Sequence, residues 1–197
     1  MGASFSPDGK KVAYCACDGT IRSKSQIYVY EFDEVQQRPI LRQITHNNGH
    51  NVSPNWCNNN DLVFCSDADS KQPYICYYHA DTKELEKITA DGYCASPSYC
   101  AVNQKIVYSR ACSGVMQLFA YDLKTKQHAQ ITFDAGNKEE SCWSPCGNYV
   151  AFAYSNGNSN RIAVHHLVTN ERIYLTDTHE NCCYPAWSPL YEKPIMV

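Results

Sequence analysis

The sequence predicts an all-β chain of consecutive four-stranded antiparallel units, and three observations predict it. One aromatic recurs on a steady beat, as Phe5-Ser-Pro-Asp-Gly, Trp56-Cys-Asn-Asn-Asn, Tyr99-Cys-Ala-Val-Asn, Trp143-Ser-Pro-Cys-Gly and Trp187-Ser-Pro, at intervals of 51, 43, 44 and 44 residues. Behind each of the first four copies come a short apolar strand (Val12-Ala-Tyr14, Leu62-Val-Phe64, Ile106-Val-Tyr108, Val150-Ala-Phe152) and a third strand (Ile27 to Tyr30, Tyr74 to Tyr77, Gln117 to Tyr121, Arg161 to Val164). Each copy then closes on an apolar residue and threonine: Ile44-Thr45, Ile88-Thr89, Ile131-Thr132 and Leu175-Thr176. A repeat near 44 residues that carries four short strands is the signature of a β-propeller blade.

The fourth copy shows how each element arises. Ser141-Cys-Trp143 reads as an inner strand, and Ser144-Pro-Cys-Gly147 as a turn, with proline presetting φ and glycine supplying the positive φ of a reversal. Tyr149 to Tyr154 returns as an apolar strand, Ser155 to Asn160 is a loop of turn residues, Arg161 to Leu167 is the third strand, and Arg172 to Thr176 is the outer one. Blades are expected over about residues 1–45, 46–89, 90–132 and 133–176, with 177–197 the inner strand of a further blade. Breaks are expected near Ile44 to Pro54, Ile88 to Pro97, Ile131 to Ser141 and Leu175 to Pro185. A sheet this small must bury both faces against its neighbours, so the aromatic column is expected to fill the space between blades.

Composition narrows the function. The chain has 197 residues, 44% hydrophobic, with a net charge of −3 from interspersed acids and bases. It offers no basic stripe for nucleic acid and no apolar run long enough to span a bilayer. The sequence enters a repeat at Phe5, so no signal peptide is expected within these residues. The twelve cysteines mostly occupy small-residue slots: Cys57 and Cys100 share the column of Ser6, Ser144 and Ser188, and Cys15 and Cys65 that of Ser109 and Ala153. They read as small buried hydrophobes rather than a disulfide framework, which points weakly to a reducing compartment.

Enzyme signatures are missing from the sequence: no G-x-S-x-G elbow, no H-E-x-x-H, no phosphate-binding glycine loop and no dinucleotide fingerprint. Asp67-Ala-Asp69-Ser begins like a calcium loop, but Tyr78 stands where the twelfth-position glutamate belongs, so a turn is expected. Cys94, Cys182, Cys183, His50 and His179 fall near one end of the blades, yet lack the tight spacing of a zinc site. His165 and His166 alternate across one strand and point to opposite faces. Neither a cofactor nor a metal is expected, and no catalytic residue.

The run aromatic-Ser-Pro-Asp-Gly, Lys-Lys-Val-Ala-Tyr, Ile-Tyr-Val-Tyr and Ile-Thr resembles the TolB-type, WD40-like propeller repeat, and Tyr184-Pro-Ala-Trp-Ser-Pro189-Leu-Tyr191 resembles the carboxyl end of that family's propellers. The departures are Cys146 in the Asp8 position, the missing turn signature in copies two and three, and extra residues around Ser23-Lys-Ser25 and Glu34 to Pro39. The resemblance implies an open, roughly four-bladed fragment of a six-bladed propeller, preceded in its parent by an α/β domain. It implies a non-enzymatic protein-binding role in the Tol-Pal envelope system: docking a Pal-like lipoprotein, working with other Tol-system proteins, and supporting outer-membrane integrity and protein import. It also implies a periplasmic location, with no membrane insertion. The alternatives are the gating propeller of a prolyl-oligopeptidase-like serine peptidase, whose hydrolase domain would lie elsewhere, and a cytoplasmic binding module.

In a propeller, each outer strand hands over to the next inner strand through a loop near the central axis, so these loops gather at one mouth of the channel. They are His46 to Val52, Ala90 to Ala95, Phe133 to Glu140 and Asp177 to Cys183, with Gly2 and Ala3 left from a fifth. Their amides, carboxylates, imidazoles and single tyrosine suit a polar protein interface. Gly2, His50, Val52, Tyr93, Ala95, Glu139 and Cys183 are the expected partner-binding residues, most of them four to six positions before the aromatic anchors.

Overall fold

A computed structural model describes residues 2–17, 19, 23–33 and 37–188. The strands are β1 (Ala3–Phe5), β2 (Lys11–Ala16), β3 (Gln26–Asp33), β4 (Arg38–Gln43), β5 (Asn51–Trp56), β6 (Leu62–Ser66), β7 (Tyr74–His79) and β8 (Glu84–Lys87), then β9 (Cys94–Cys100), β10 (Lys105–Cys112), β11 (Val115–Asp122), β12 (Gln127–Gln130), β13 (Asn137–Trp143), β14 (Tyr149–Ser155), β15 (Asn160–His166) and β16 (Arg172–Tyr174). They form four four-stranded antiparallel sheets, each from four consecutive strands, as the repeat predicts. Among the described residues there is no helix, and so none long and apolar enough to cross a membrane. Glu34 to Gln36 of the expected insertion and Pro189 to Tyr191 of the terminal motif lie outside the described residues.

The register explains the aromatic beat. Trp56 pairs with Leu62, Leu62 with Tyr78, and Tyr78 with Leu85, so one row of side chains crosses the whole blade on one face. The same row is Tyr99–Ile106–Tyr121–His128 in the third blade and Trp143–Val150–His165–Arg172 in the fourth. In every case it faces the preceding blade. One apolar core joins Ala13, Ile27 and Val29 of the first blade to Trp56, Leu62, Phe64 and Tyr78 of the second. Another sets Val63, Ile75 and Tyr77 against Ile106, Tyr108 and Tyr121. A third sets Val107, Leu118 and Ala120 against Trp143, Val150 and Phe152. Each blade is thus stabilised mainly by its neighbours, as in other repeat architectures.

The arc is open. Packing runs from first blade to second, second to third and third to fourth, without closing a ring. Among the described residues, no blade packs against the first blade's row, Phe5–Val12–Tyr30–Leu41. Phe5 is 72% exposed, whereas its equivalents Trp56 and Trp143 are 6% and 7% exposed.

The cysteines are all free: Cys57, Cys65, Cys76, Cys94 and Cys100 are buried, while only Cys17, Cys146 and Cys183 are exposed. Burial pushes the thiols of Cys65, Cys76 and Cys142 up to about 12. Asp67 to Ser70 is a turn closed by the Ser70 N–H on the Asp67 carbonyl (3.2 Å), as expected. His165 is buried on the core side of β15, and His166 on the other side stacks edge-on to Tyr149 at 4.6 Å.

Candidate binding surface on the inner wall of the arc

The inner strands begin earlier than the sequence suggests. Breaks were expected to run to Pro54, Pro97 and Ser141, yet β5, β9 and β13 start at Asn51, Cys94 and Asn137. Val52, Ala95 and Glu139 therefore lie in strands and not in loops, while His50 and Tyr93 lie just before them. Proline is tolerated because these are edge strands facing the channel, and each carries a bulge. Register slips between Val52 and Asn55, between Ala95 and Ser98, and between Glu139 and Cys142. In the three strands the bulged residue lies three before the aromatic, Ser53, Ser96 and Glu140 holding φ of 55°, 53° and 54°, and Tyr184, three before Trp187, has the same backbone twist at 55°. No glycine marks these positions, so the sequence carried no local signal for them.

Alternation along these strands sorts the residues by role. The residue five before each anchor turns away from the channel and bonds the crossing loop behind it. Asn51 Nδ2 donates to the Gly49 carbonyl at 3.1 Å, and the Cys94 thiol reaches the Asp91 carbonyl at 3.8 Å. Lys138, fully buried, donates to the Asp134 carbonyl, to those of Ala135 (3.0 Å) and Gly136 (2.8 Å), and pairs with the Asp134 carboxylate. Burial lowers its pKa most, against the pull of Asp134. On the other side, His50 and Tyr93, six before their anchors, and Val52, Ala95 and Glu139, four before theirs, line the inner wall, whereas Asn137 accepts the Met116 N–H at 2.9 Å.

The structure brings five of the seven expected residues together. His50, Val52, Tyr93, Ala95 and Glu139 line one cavity of about 300 Å³. Cys65, Asp67 and Glu140 join them, which reasoning from the loops alone missed because two of these come from β6 and the turn after it. Gly2 lines an adjoining cavity of about 170 Å³ with Ser141, Tyr184 and Pro185, and the two share Ser53, Ser96 and Glu140. Cys183 lines neither: its sulfur accepts from Asn160 Nδ2 at 3.4 Å.

Residues 177–188 form no strand, but they follow β13 as an inner strand would. The Tyr184 N–H donates to Glu140 Oε2 (2.7 Å), the Cys142 thiol to the Pro185 carbonyl (3.0 Å), and Trp187 Nε1 to the Cys142 carbonyl (3.2 Å). Trp56 Nε1 does the same to Ser4, at 2.8 Å.

The chemistry of the cavity is that of polar contact. The Asp67 carboxylate accepts the His50 N–H at 2.6 Å, and the His50 ring touches the Ser25 N–H and Lys24, not a hydroxyl or thiol nucleophile. No hydrogen bond or ion pair engages the Glu139 carboxylate among the described residues. Burial, then the charge of Glu140, raises its pKa. The Tyr93 hydroxyl is raised by burial and then by Cys65 and Glu139. Among the described residues no group of three His, Cys, Asp or Glu is placed to hold a metal ion.

Four-stranded antiparallel blades stacked side by side, with their first strands on one inner wall, define a propeller repeat. The chain belongs to the TolB family of propellers: the family model described as the TolB beta propeller domain matches residues 1–191. No curated protein matches it in sequence. Among solved structures it is similar to TolB from Acinetobacter baumannii, with 19% identity over 90% of this chain and 43% of that one, at a TM-score of 0.71. A TolB structure from Agrobacterium tumefaciens gives 15% identity over 95% and 65%, at 0.73. A puromycin-hydrolysing peptidase from Mycobacterium tuberculosis gives 12% over 88% and 28%, also at 0.71. The chain thus spans less than two thirds of the length of either TolB structure.

Proposed function

We infer that the chain is the partner-binding part of a TolB-like propeller, and that it docks a Pal-like lipoprotein on the inner-wall surface around Glu139 and Tyr93. The observation that carries this is the convergence of His50, Val52, Tyr93, Ala95 and Glu139 from three blades on one cavity, with Glu139 left without a bond of its own. A desolvated carboxylate beside a phenol is ready to accept and donate hydrogen bonds to a protein surface. The family match supports the scaffold role. Work in the periplasm with other Tol-system proteins, and support of the outer envelope, follow from the same likeness. The peptidase neighbours share the blade architecture, and under that second reading the propeller would gate a hydrolase domain instead.

Binding of a purified Pal-like lipoprotein, lacking its lipid, to the chain and to its Tyr93→Ala and Glu139→Gln variants tests this. Each substitution is expected to weaken binding by roughly tenfold, the loss of a well-placed charged or buried hydrogen bond. Unchanged affinity in both, or no binding by the parent chain, overturns the reading.

A further inference from the structure

The sequence contains two Asn-Gly pairs, Asn48-Gly49 and Asn156-Gly157, and the fold places them in opposite circumstances. An asparagine followed by glycine is open to attack by its own backbone, because a residue without a side chain lets its nitrogen approach the carboxamide carbon before it. Whether the attack takes place in a folded chain depends on the freedom of the glycine and on the direction of the carboxamide.

Asn48-Gly49 lies in the crossing loop between β4 and β5. Gly49 is buried and held by three hydrogen bonds: its N–H donates to Asn47 Oδ1 at 3.1 Å, and its carbonyl accepts from Gln26 Nε2 (3.0 Å) and Asn51 Nδ2 (3.1 Å). The Ala68 backbone presses on it so closely that a Cβ would lie 2.3 Å from the Ala68 nitrogen. The Gly49 peptide therefore cannot swing towards Asn48 without opening the loop.

Asn156-Gly157 lies in the loop between β14 and β15, where Asn156, Gly157 and Asn158 are all exposed. Gly157 holds φ of 97°, and nothing lies within 4 Å of the place a Cβ would take. Its N–H meets the Ser155 hydroxyl at 3.3 Å, a long bond at the surface that water replaces at little cost. The carboxamide is already turned forward: Asn156 Oδ1 accepts the Asn158 N–H at 3.1 Å, which folds the side chain over the Gly157 peptide.

We propose that Asn156 is a site of spontaneous backbone modification in the folded chain, converting through a succinimide to aspartate and isoaspartate, while the fold protects Asn48. Solvent hydroxide removes the Gly157 amide proton, the nitrogen bonds to Asn156 Cγ, and the Cγ–Nδ2 bond breaks. The leaving nitrogen takes a proton from water and departs as ammonia, which regenerates the hydroxide. Water then adds to one of the two ring carbonyls. Opening at Cγ breaks the new bond and leaves aspartate; opening at the main-chain carbonyl breaks the original peptide bond and leaves isoaspartate. The counterpart of this loop in the second blade, between β6 and β7, lends Asp67 and Pro73 to the inner-wall cavity. In the fourth blade the Asn160 N–H, at the end of the loop, donates to Asn181 Oδ1 of the crossing loop at 3.2 Å. The new carboxylate thus adds negative charge at the mouth of the channel, away from the blade cores.

Incubation of the whole chain in mildly alkaline buffer, native and in concentrated urea, followed by peptide mass spectrometry with isoaspartate detection, tests this. In the native chain Asn156 is expected to convert, and Asn48 to convert more than about tenfold more slowly, since its loop must open first. In urea the two should convert at comparable rates. Asn156→Gln should remove the native conversion at this position, and the melting temperature of the converted chain should match that of the fresh one. An unconverted Asn156 in the native chain overturns the site. Equal native rates at Asn48 and Asn156 overturn the protection by the fold.

Discussion

The open arc makes a pair of substitutions at equivalent positions unequal. Trp56 and Phe5 occupy the same place in the repeat, but Trp56 is wedged against the first blade, 6% exposed, with Nε1 bonded to the Ser4 carbonyl, while Phe5 is 72% exposed. Removing a buried tryptophan side chain costs about 3–5 kcal/mol, from lost transfer free energy and the cavity left behind. In a domain of this size that lowers the melting temperature by about 6–20 °C. Full burial of a phenylalanine is worth about 1.5–3 kcal/mol, and little more than a quarter of Phe5 is covered, so Phe5→Ala should cost less than about 1 kcal/mol. Urea unfolding followed by circular dichroism measures both. If Phe5→Ala costs more than about 2 kcal/mol, the first blade's outer face is covered in solution and the open arc is wrong. If Trp56→Ala costs less than 1, the inter-blade core does not hold the repeat together.

Asp134, bonded to both Arg172 nitrogens at 2.6 and 2.9 Å, has its pKa lowered from 3.8 to about 2, chiefly by that pair. Its folded pKa lies below the unfolded one, so this stability is fully present above about pH 4 and is lost as pH falls through 2; with the side chain about half exposed it amounts to on the order of 1 kcal/mol. Asp134→Asn should remove that part of the acid transition in pH-dependent melts. Gly49→Ala would put a Cβ 2.3 Å from the Ala68 backbone nitrogen, so it is expected to destabilise by more than about 2 kcal/mol in denaturant titration, although its φ is ordinary. A thiol reagent added to the native chain should modify Cys17, Cys146 and Cys183 rapidly and the five buried cysteines only on unfolding, as mass spectrometry would show. The exposed Cys146 thiol should lead, because the Ser144 hydroxyl and then the Asn148 backbone lower its pKa.

The fold was legible because the repeat is written in hydrophobic periodicity and turn residues, the two signals that local sequence carries most strongly. Ser6-Pro7-Asp8-Gly9 announces its turn: Asp8 accepts the Ser6 hydroxyl at 2.6 Å and the Lys10 N–H at 3.1 Å. Copy two lacks that signature, yet Asn58 serves the same end there by accepting from the Asn60 and Asp61 N–H groups, each at 2.7 Å. The start of the inner strands was not legible. A bulge whose left-handed residue is serine or glutamate has no composition of its own. Pro54 and Pro97 read as the end of a loop, whereas edge strands admit them. The alternation of the bonding face was thereby hidden, and with it the separation of Lys138, which packs the loop, from Glu139, which meets the channel.

That separation has a functional consequence. The bulge lets one strand carry a fixed side and a variable side at adjacent positions. Asn51, Cys94 and Lys138 differ in chemistry, but all three are fully buried and all bond the loop before them, so the blade-to-blade geometry tolerates exchange among them only where that bond is kept. The side chains of Val52, Ala95 and Glu139 differ as widely, and among the described residues they make no hydrogen bond that holds the fold. The wall they form can therefore change its chemistry from blade to blade without disturbing the cores behind it, which rest on Trp56, Ile106 and Val150. A surface with that freedom is where a propeller of this family can specialise for a partner. On this chain the departures from apolar or small residues concentrate at Tyr93, Glu139 and Glu140, in the third and fourth blades, with His50 and Asp67 facing them from the second. On the docking proposed above, binding energy should follow the same asymmetry: Tyr93→Ala and Glu139→Gln should each weaken the Pal-like lipoprotein roughly tenfold, while Val52→Ala should change its affinity by less than about threefold.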